Sequence, residues 1–161
     1  LRGECMQKKH LNWILVVGWL VIIFMFSNQV GNVSDENNKF VIYVFNLLGL
    51  NLNSIFGTLS DFIIRKASHF TEYFILYMLI YRAINKSKKV DIKIFIGTIL
   101  MVFLYACTDE FHQAFVPGRS PAFRDVMVDT CGGLTAFLFI YIVALKKRPT
   151  SSNKDLNKPC K

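Results

Sequence analysis

The sequence predicts an all-α integral membrane bundle of four transmembrane helices, and three observations carry that prediction. Hydrophobic residues make up 53% of the 161-residue chain, and Phe alone accounts for 15 positions. They collect into four nearly unbroken runs, whereas a soluble amphipathic helix would be interrupted by charge every few positions. Lys and Arg gather in the short segments that flank the runs.

The first run, residues 11–30, holds no charged residue. The second, 67–84, has His69, Glu72 and Arg82 as its ionisable members. The third, 92–108, has Lys93 at its edge, and the fourth, 126–145, has Asp129 inside. A hydrocarbon core of roughly 30 Å takes about 20 helical residues to cross. The first and fourth runs meet that length, and polar flanks must complete the second and third. Backbone groups in lipid are satisfied only internally, so each run is predicted to be helical. The alternative is four buried helices of a soluble bundle. Each would then show one polar face, and these mostly do not.

Orientation follows from the basic residues. Arg2, Lys8 and Lys9 precede the first run. Arg82, Lys86, Lys88, Lys89 and Lys93 surround the second connection, and Lys146, Lys147, Arg148, Lys154, Lys158 and Lys161 lie in the tail. Only Lys39, Arg65, Lys66, Arg119 and Arg124 fall on the other side. Short cytoplasmic loops carry the Lys/Arg excess, which predicts both termini in the cytoplasm and a multi-pass protein of the plasma membrane. The net charge of +8 is then a topology signal. A nucleic-acid partner is not expected, because the charge sits in short loops beside apolar spans.

Residues 1–10 read as a cytoplasmic N-terminus, 11–145 as the membrane domain, and 146–161 as a basic cytoplasmic tail, disordered by composition. The first helix reads as a retained anchor, since its apolar run is long and no small-x-small cleavage site follows it. Met6 is a natural start. Cys5, Cys107, Cys131 and Cys160 show no metal-type spacing and predict no disulfide framework. Within the outer connection 31–66, Val41, Phe45 and Leu48 recur at helical spacing, which suits either an interfacial helix or a loop packed on the bundle.

Chemistry collects on the outer side. Lys66, His69 and Glu72 are spaced three apart and share a slowly drifting helix face. The third helix leads into Asp109, Glu110, His112 and Gln113, and if it continues that far Asp109 shares a face with His112 and Gln113. Past the tight turn expected at Pro117-Gly118 come Arg119, Ser120, Asp125 and Asp129. A charge at the centre of a membrane costs about 2.5–3.5 kcal/mol on insertion scales, so such residues usually face the bundle interior and pair. Convergence of this many at one depth proposes a site. His69 and His112 are candidate general bases, with Glu72, Asp109 and Asp125 beside them as catalytic candidates. Lys66, Glu110, Gln113, Arg119, Ser120 and Asp129 are candidate ligand-binding residues. Arg119 suits a phosphate or carboxylate, or equally a pairing with Asp125. The rival reading is a salt-bridge network that fixes helix register. No cofactor or metal is specified by the spacing. Gly132-Gly133 reads as a close helix approach.

Taken together, Ser27-Asn28-Gln29, Arg65-Lys66, His69-Phe70, Glu72-Tyr73, the run from Asp109 to Gln113, Phe115 to Pro121, Asp125, Asp129 and Gly132-Gly133 resemble the VanZ-like family of bacterial membrane proteins. The resemblance spans nearly the whole chain. It implies a link to resistance against glycopeptide antibiotics of the teicoplanin type. Three functions stay open. One is an envelope protein whose extracytoplasmic polar site binds a lipid-linked or cell-wall ligand and alters glycopeptide susceptibility. Another is an intramembrane hydrolase or transferase acting on a lipid or cell-wall precursor. The third is a structural or partner-binding bundle. The lipid bilayer is the expected partner in all three, with a lipid-linked or cell-wall precursor in the first two.

Overall fold

The computed structural model describes residues 2–29, 43, 59–85 and 91–146. Four long helices account for most of them: α1 (Arg2–Ser27), α2 (Ser60–Ile84), α3 (Ile92–Gln113) and α4 (Phe123–Lys146). The all-helical expectation holds across these residues. Most of the outer connection, with Val41, Phe45 and Leu48, and the tail from residue 147 lie outside the described residues.

Helix ends depart from the apolar runs in an informative way. α2 begins at Ser60 and so takes Arg65 and Lys66 into the helix. α3 runs on through Asp109 and Glu110 to Gln113. Conversely, α1 stops at Ser27, short of residue 30, and closes through Asn28 N–H donating to Phe24 O at 2.9 Å. At the opposite end, the Asp91 side chain caps α3 by accepting from Lys93 N–H at 2.8 Å, which satisfies one of the orphan donors of a helix start.

Three of the helices are long and apolar enough to cross a membrane: His10–Ser27 within α1, and all of α3 and α4. α2 is not among them, because Ser68, His69, Thr71, Glu72, Arg82 and three tyrosines dilute it. Packing explains how it tolerates the tyrosines, while Ser68, Thr71 and Arg82 stay exposed. α2 contacts the other three helices, and Tyr73, Leu76 and Tyr77 in its middle are fully buried. It is the most centrally packed of the four helices. Outside it, α1, α3 and α4 expose large apolar side chains along their length, among them Ile14, Met25, Ile96, Leu104, Leu138 and Ile142. Contiguous apolar exposure on this scale requires a lipid solvent, so the chain is a membrane protein.

Specific contacts fix the helices against one another. Gly132 brings α4 onto α2 so closely that a Cβ there would lie 2.3 Å from the Phe70 carbonyl oxygen. The expected packing role of the glycine pair is therefore met. Trp19 of α1 donates its indole N–H to Glu72 O of α2 at 2.9 Å. Tyr105 of α3 donates its hydroxyl to Leu20 O of α1, also at 2.9 Å. Phe95 and Phe137 pack at 3.8 Å between ring centroids at the other end of α3 and α4.

Candidate functional site

The C-terminal ends of α1 and α3 and the N-terminal ends of α2 and α4 meet at one end of the bundle. The turn joining α3 to α4 closes it. Arg119 N–H donates to Val116 O at 3.2 Å across Pro117 and Gly118, and Gly118 has φ 77°. Proline second and a left-handed glycine third is the type II arrangement. Further along, the Glu110 carboxylate accepts from Ala122 N–H at 2.9 Å, which draws the loop back over the end of α3.

Two rungs connect the parallel helices α2 and α4. Lys66 forms an ion pair with Asp125. One turn deeper, His69 Nδ1 lies 3.6 Å from Asp129 Oδ1, within ion-pair range but too long for a hydrogen bond. The spacing of three on α2 and of four on α4 puts both members of each helix on the shared face. Asp129 is fully buried, and neither carboxylate oxygen has a hydrogen-bond partner. A buried polar group left without partners costs stability, which makes Asp129 a residue to explain.

A cavity of about 120 Å³ opens above the deeper rung, lined by Arg65, His69, Gln113, Gly118, Arg119, Ser120 and Asp125. Arg119 reaches it while capping α1: Nε donates to Gln29 O and Nη2 to Phe26 O, both at 3.2 Å. These contacts fasten the turn to the end of α1. Burial, followed by the Arg65 guanidinium, lowers the Arg119 affinity for its proton below the ordinary value, against the raising pull of Asp109, Glu110 and Glu72. Arginine stays charged regardless.

Among the sequence candidates, the structure thus gathers His69, Gln113, Arg119, Ser120 and Asp125 around one cavity, with Lys66 and Asp129 directly behind. The alternative pairing of Arg119 with Asp125 is not the one adopted, since Lys66 takes Asp125. Asp109 is buried beside Gln113, whose amide donates to it at 3.2 Å. Glu110 is buried on the loop backbone. His112 turns to α1, where Nε2 sits 3.2 Å from Asn28 Oδ1 and the ring lies 4.8 Å from that of Phe24. Glu72 lines a separate, largely apolar groove of about 340 Å³ with Trp19, Ile64, Ser68 and Ile75. Arg65 and Gly118 line the cavity although neither stood among the candidate site residues. Arg65 precedes His69 by four, so helical spacing was the signal for it. Among the described residues no three His, Cys, Asp or Glu side chains are placed to hold a metal ion.

Comparison with known proteins adds one relation. The sequence profile of the family described as VanZ/LLP1 matches residues 12–144, from the first helix to the last. No curated protein and no solved structure matches the chain.

Proposed function

Because the chain belongs to the VanZ/LLP1 family, we propose that it is a four-span protein of the plasma membrane, with both termini cytoplasmic, that lowers susceptibility to teicoplanin-type glycopeptides. In this reading the polar end faces outward, and its cavity binds a lipid-linked or cell-wall ligand. The supporting observation is the cavity itself: a small space lined by charged and amide side chains from α2, α3, the turn and α4, inside a chain whose exterior is apolar. Intramembrane charge of this kind is rare unless it does something.

One arrangement favours a second reading. His69 faces the buried Asp129, as a base faces the carboxylate that orients it. Here the site acts on a lipid or cell-wall precursor as well as binding it, and His69 takes the proton.

Single replacement of His69, Glu72, His112 and Asp125 by Ala, with membrane abundance measured beside glycopeptide susceptibility, tests both. Loss of protection at normal abundance is expected for His69→Ala and Asp125→Ala. Loss of abundance in step with protection at every position means the polar cluster is architectural, and the proposal fails.

A further inference from the structure

We propose that the cavity is a phosphoryl-binding site, in which the Arg65 and Arg119 guanidinium groups together hold the phosphate headgroup of a lipid-linked molecule. The inference rests on the reading of this end as a ligand site and names the chemistry the site takes.

Charge accounting around the cavity carries it. This end of the bundle is rich in carboxylates: Asp125 lines the cavity itself and is held by Lys66, and Asp109, Glu110 and Glu72 lie near enough to act on Arg119. Lys66 takes Asp125 and His69 faces Asp129. Ala122 N–H occupies one oxygen of Glu110, and Gln113 one oxygen of Asp109. Arg65 has no ion pair among the described residues, although Lys66 beside it has one. Arg119 spends two of its N–H groups on backbone carbonyls, which carry no net charge. Two guanidinium groups therefore line one small polar space, and neither has an ion pair among the described residues, in surroundings where like charges interact strongly. Bringing them together costs free energy that a bound anion returns.

The count of charges points to phosphate. A carboxylate offsets one of the two cations, whereas a phosphate monoester carries about −1.5 to −2 at neutral pH and accepts bidentate forks from more than one arginine. Ser120 and Gln113 stand by as neutral partners. Size agrees: about 120 Å³ falls well below the roughly 300–1,000 Å³ of pockets that enclose a whole small-molecule ligand, and it suits a headgroup phosphate. Anything attached to it must lie outside. Phe62, Phe111, Phe115 and Phe123 are exposed on the same end of the bundle, a setting in which an apolar tail rests against aromatic rings at the depth of lipid headgroups.

Isothermal titration of the full chain in a maltoside detergent, which brings no phosphate, provides the test. Dodecyl phosphate, dodecanoate and inorganic phosphate serve as probes for the protein and for its Arg65→Gln and Arg124→Gln variants. Arg124 is exposed on the same end but does not line the cavity. Arg65 is chosen over Arg119 because it caps no helix. Saturable binding of dodecyl phosphate is expected, weakened about ten- to a hundred-fold by Arg65→Gln, the loss of one charge-assisted contact, and less than about two-fold by Arg124→Gln. Inorganic phosphate binding much more weakly supports a lipid headgroup as the source, and equal binding supports free phosphate at the same site. No saturable binding, dodecanoate binding as tightly as dodecyl phosphate, or equal weakening by both variants overturns the inference. Glycopeptide susceptibility of cells carrying Arg65→Gln separates this outcome from the broader reading. Unchanged susceptibility with lost phosphate binding defeats the functional role and leaves the site intact. Protection by the native chain with no phosphate binding does the reverse.

Discussion

Asp129 is the residue on which structure and purpose pull apart. Its carboxylate is fully buried, faces His69 at 3.6 Å and has no hydrogen-bond donor. For the fold alone the isosteric Asn would serve as well, since a buried carboxyl group without hydrogen-bond partners costs stability. Asp129→Asn should therefore leave the melting temperature in detergent unchanged or raised by about 2–4 °C, the shift that about 1 kcal/mol produces at this size. The same change should abolish protection against glycopeptide. A lowered melting temperature with protection intact would mean the carboxyl group is there for the fold. Sequence spacing made the rungs legible, because Lys66, His69, Asp125 and Asp129 lie at three and four along their helices. It misplaced Glu72 and His112 for a reason that spacing itself contains. Each step of three falls about 60° short of a full turn at 3.6 residues per turn. Two such steps carry Glu72 from the α4 side of α2 to the groove beside Trp19. One step swings His112 to α1, while Gln113, nearer the full turn, stays with Asp109. The Arg119 contacts were not legible at all, because they are made to backbone carbonyls of a distant helix end, and no side-chain pattern encodes those.

At the scale of elements, the contact between α2 and α4 places the site. Gly132 packs on the Phe70 backbone one residue beyond His69, where a Cβ has no room. Gly132→Ala is expected to destabilise by about 1–3 kcal/mol or more through overpacking and to separate His69 from Asp129. Gly18 and Gly97 have nothing within 4 Å of an added Cβ. Gly18→Ala and Gly97→Ala should then be neutral or gain up to about 1 kcal/mol from helix propensity. Thermal unfolding of the three variants in one detergent checks both statements, and equal effects would remove the special role of Gly132. Hydrophobic runs revealed the four helices but not their polar ends. Hydropathy counts Arg65, Lys66, Asp109 and Glu110 against a span, whereas the backbone simply continues helical through them because their side chains find partners or a cavity.

For the whole molecule, the question is how a helix as polar as α2 sits among three apolar ones. Its neighbours act as solvent for its buried face, so composition alone under-reports it, while Ser68, Thr71 and Arg82 stay exposed. Four spans with both ends inside remain the proposal. Single cysteines at Asn37 and Ser87, in a chain lacking the native four, test it. An impermeant maleimide should label Asn37→Cys on intact cells and Ser87→Cys only after permeabilisation. Labelling of Ser87→Cys on intact cells would invert the topology and put the cavity in the cytoplasm.

The two aromatic donors that cross between helices have a mechanical consequence. Trp19 fastens α1 to α2 and Tyr105 fastens α3 to α1, each on a backbone carbonyl, and Gly132 keys α4 against α2. No helix can slide lengthwise past its neighbour without breaking one of these fastenings. A bilayer that thickens or thins must then tilt the bundle as one body or deform around it. The cavity stays at constant height within the protein, like a notch cut in a rigid post.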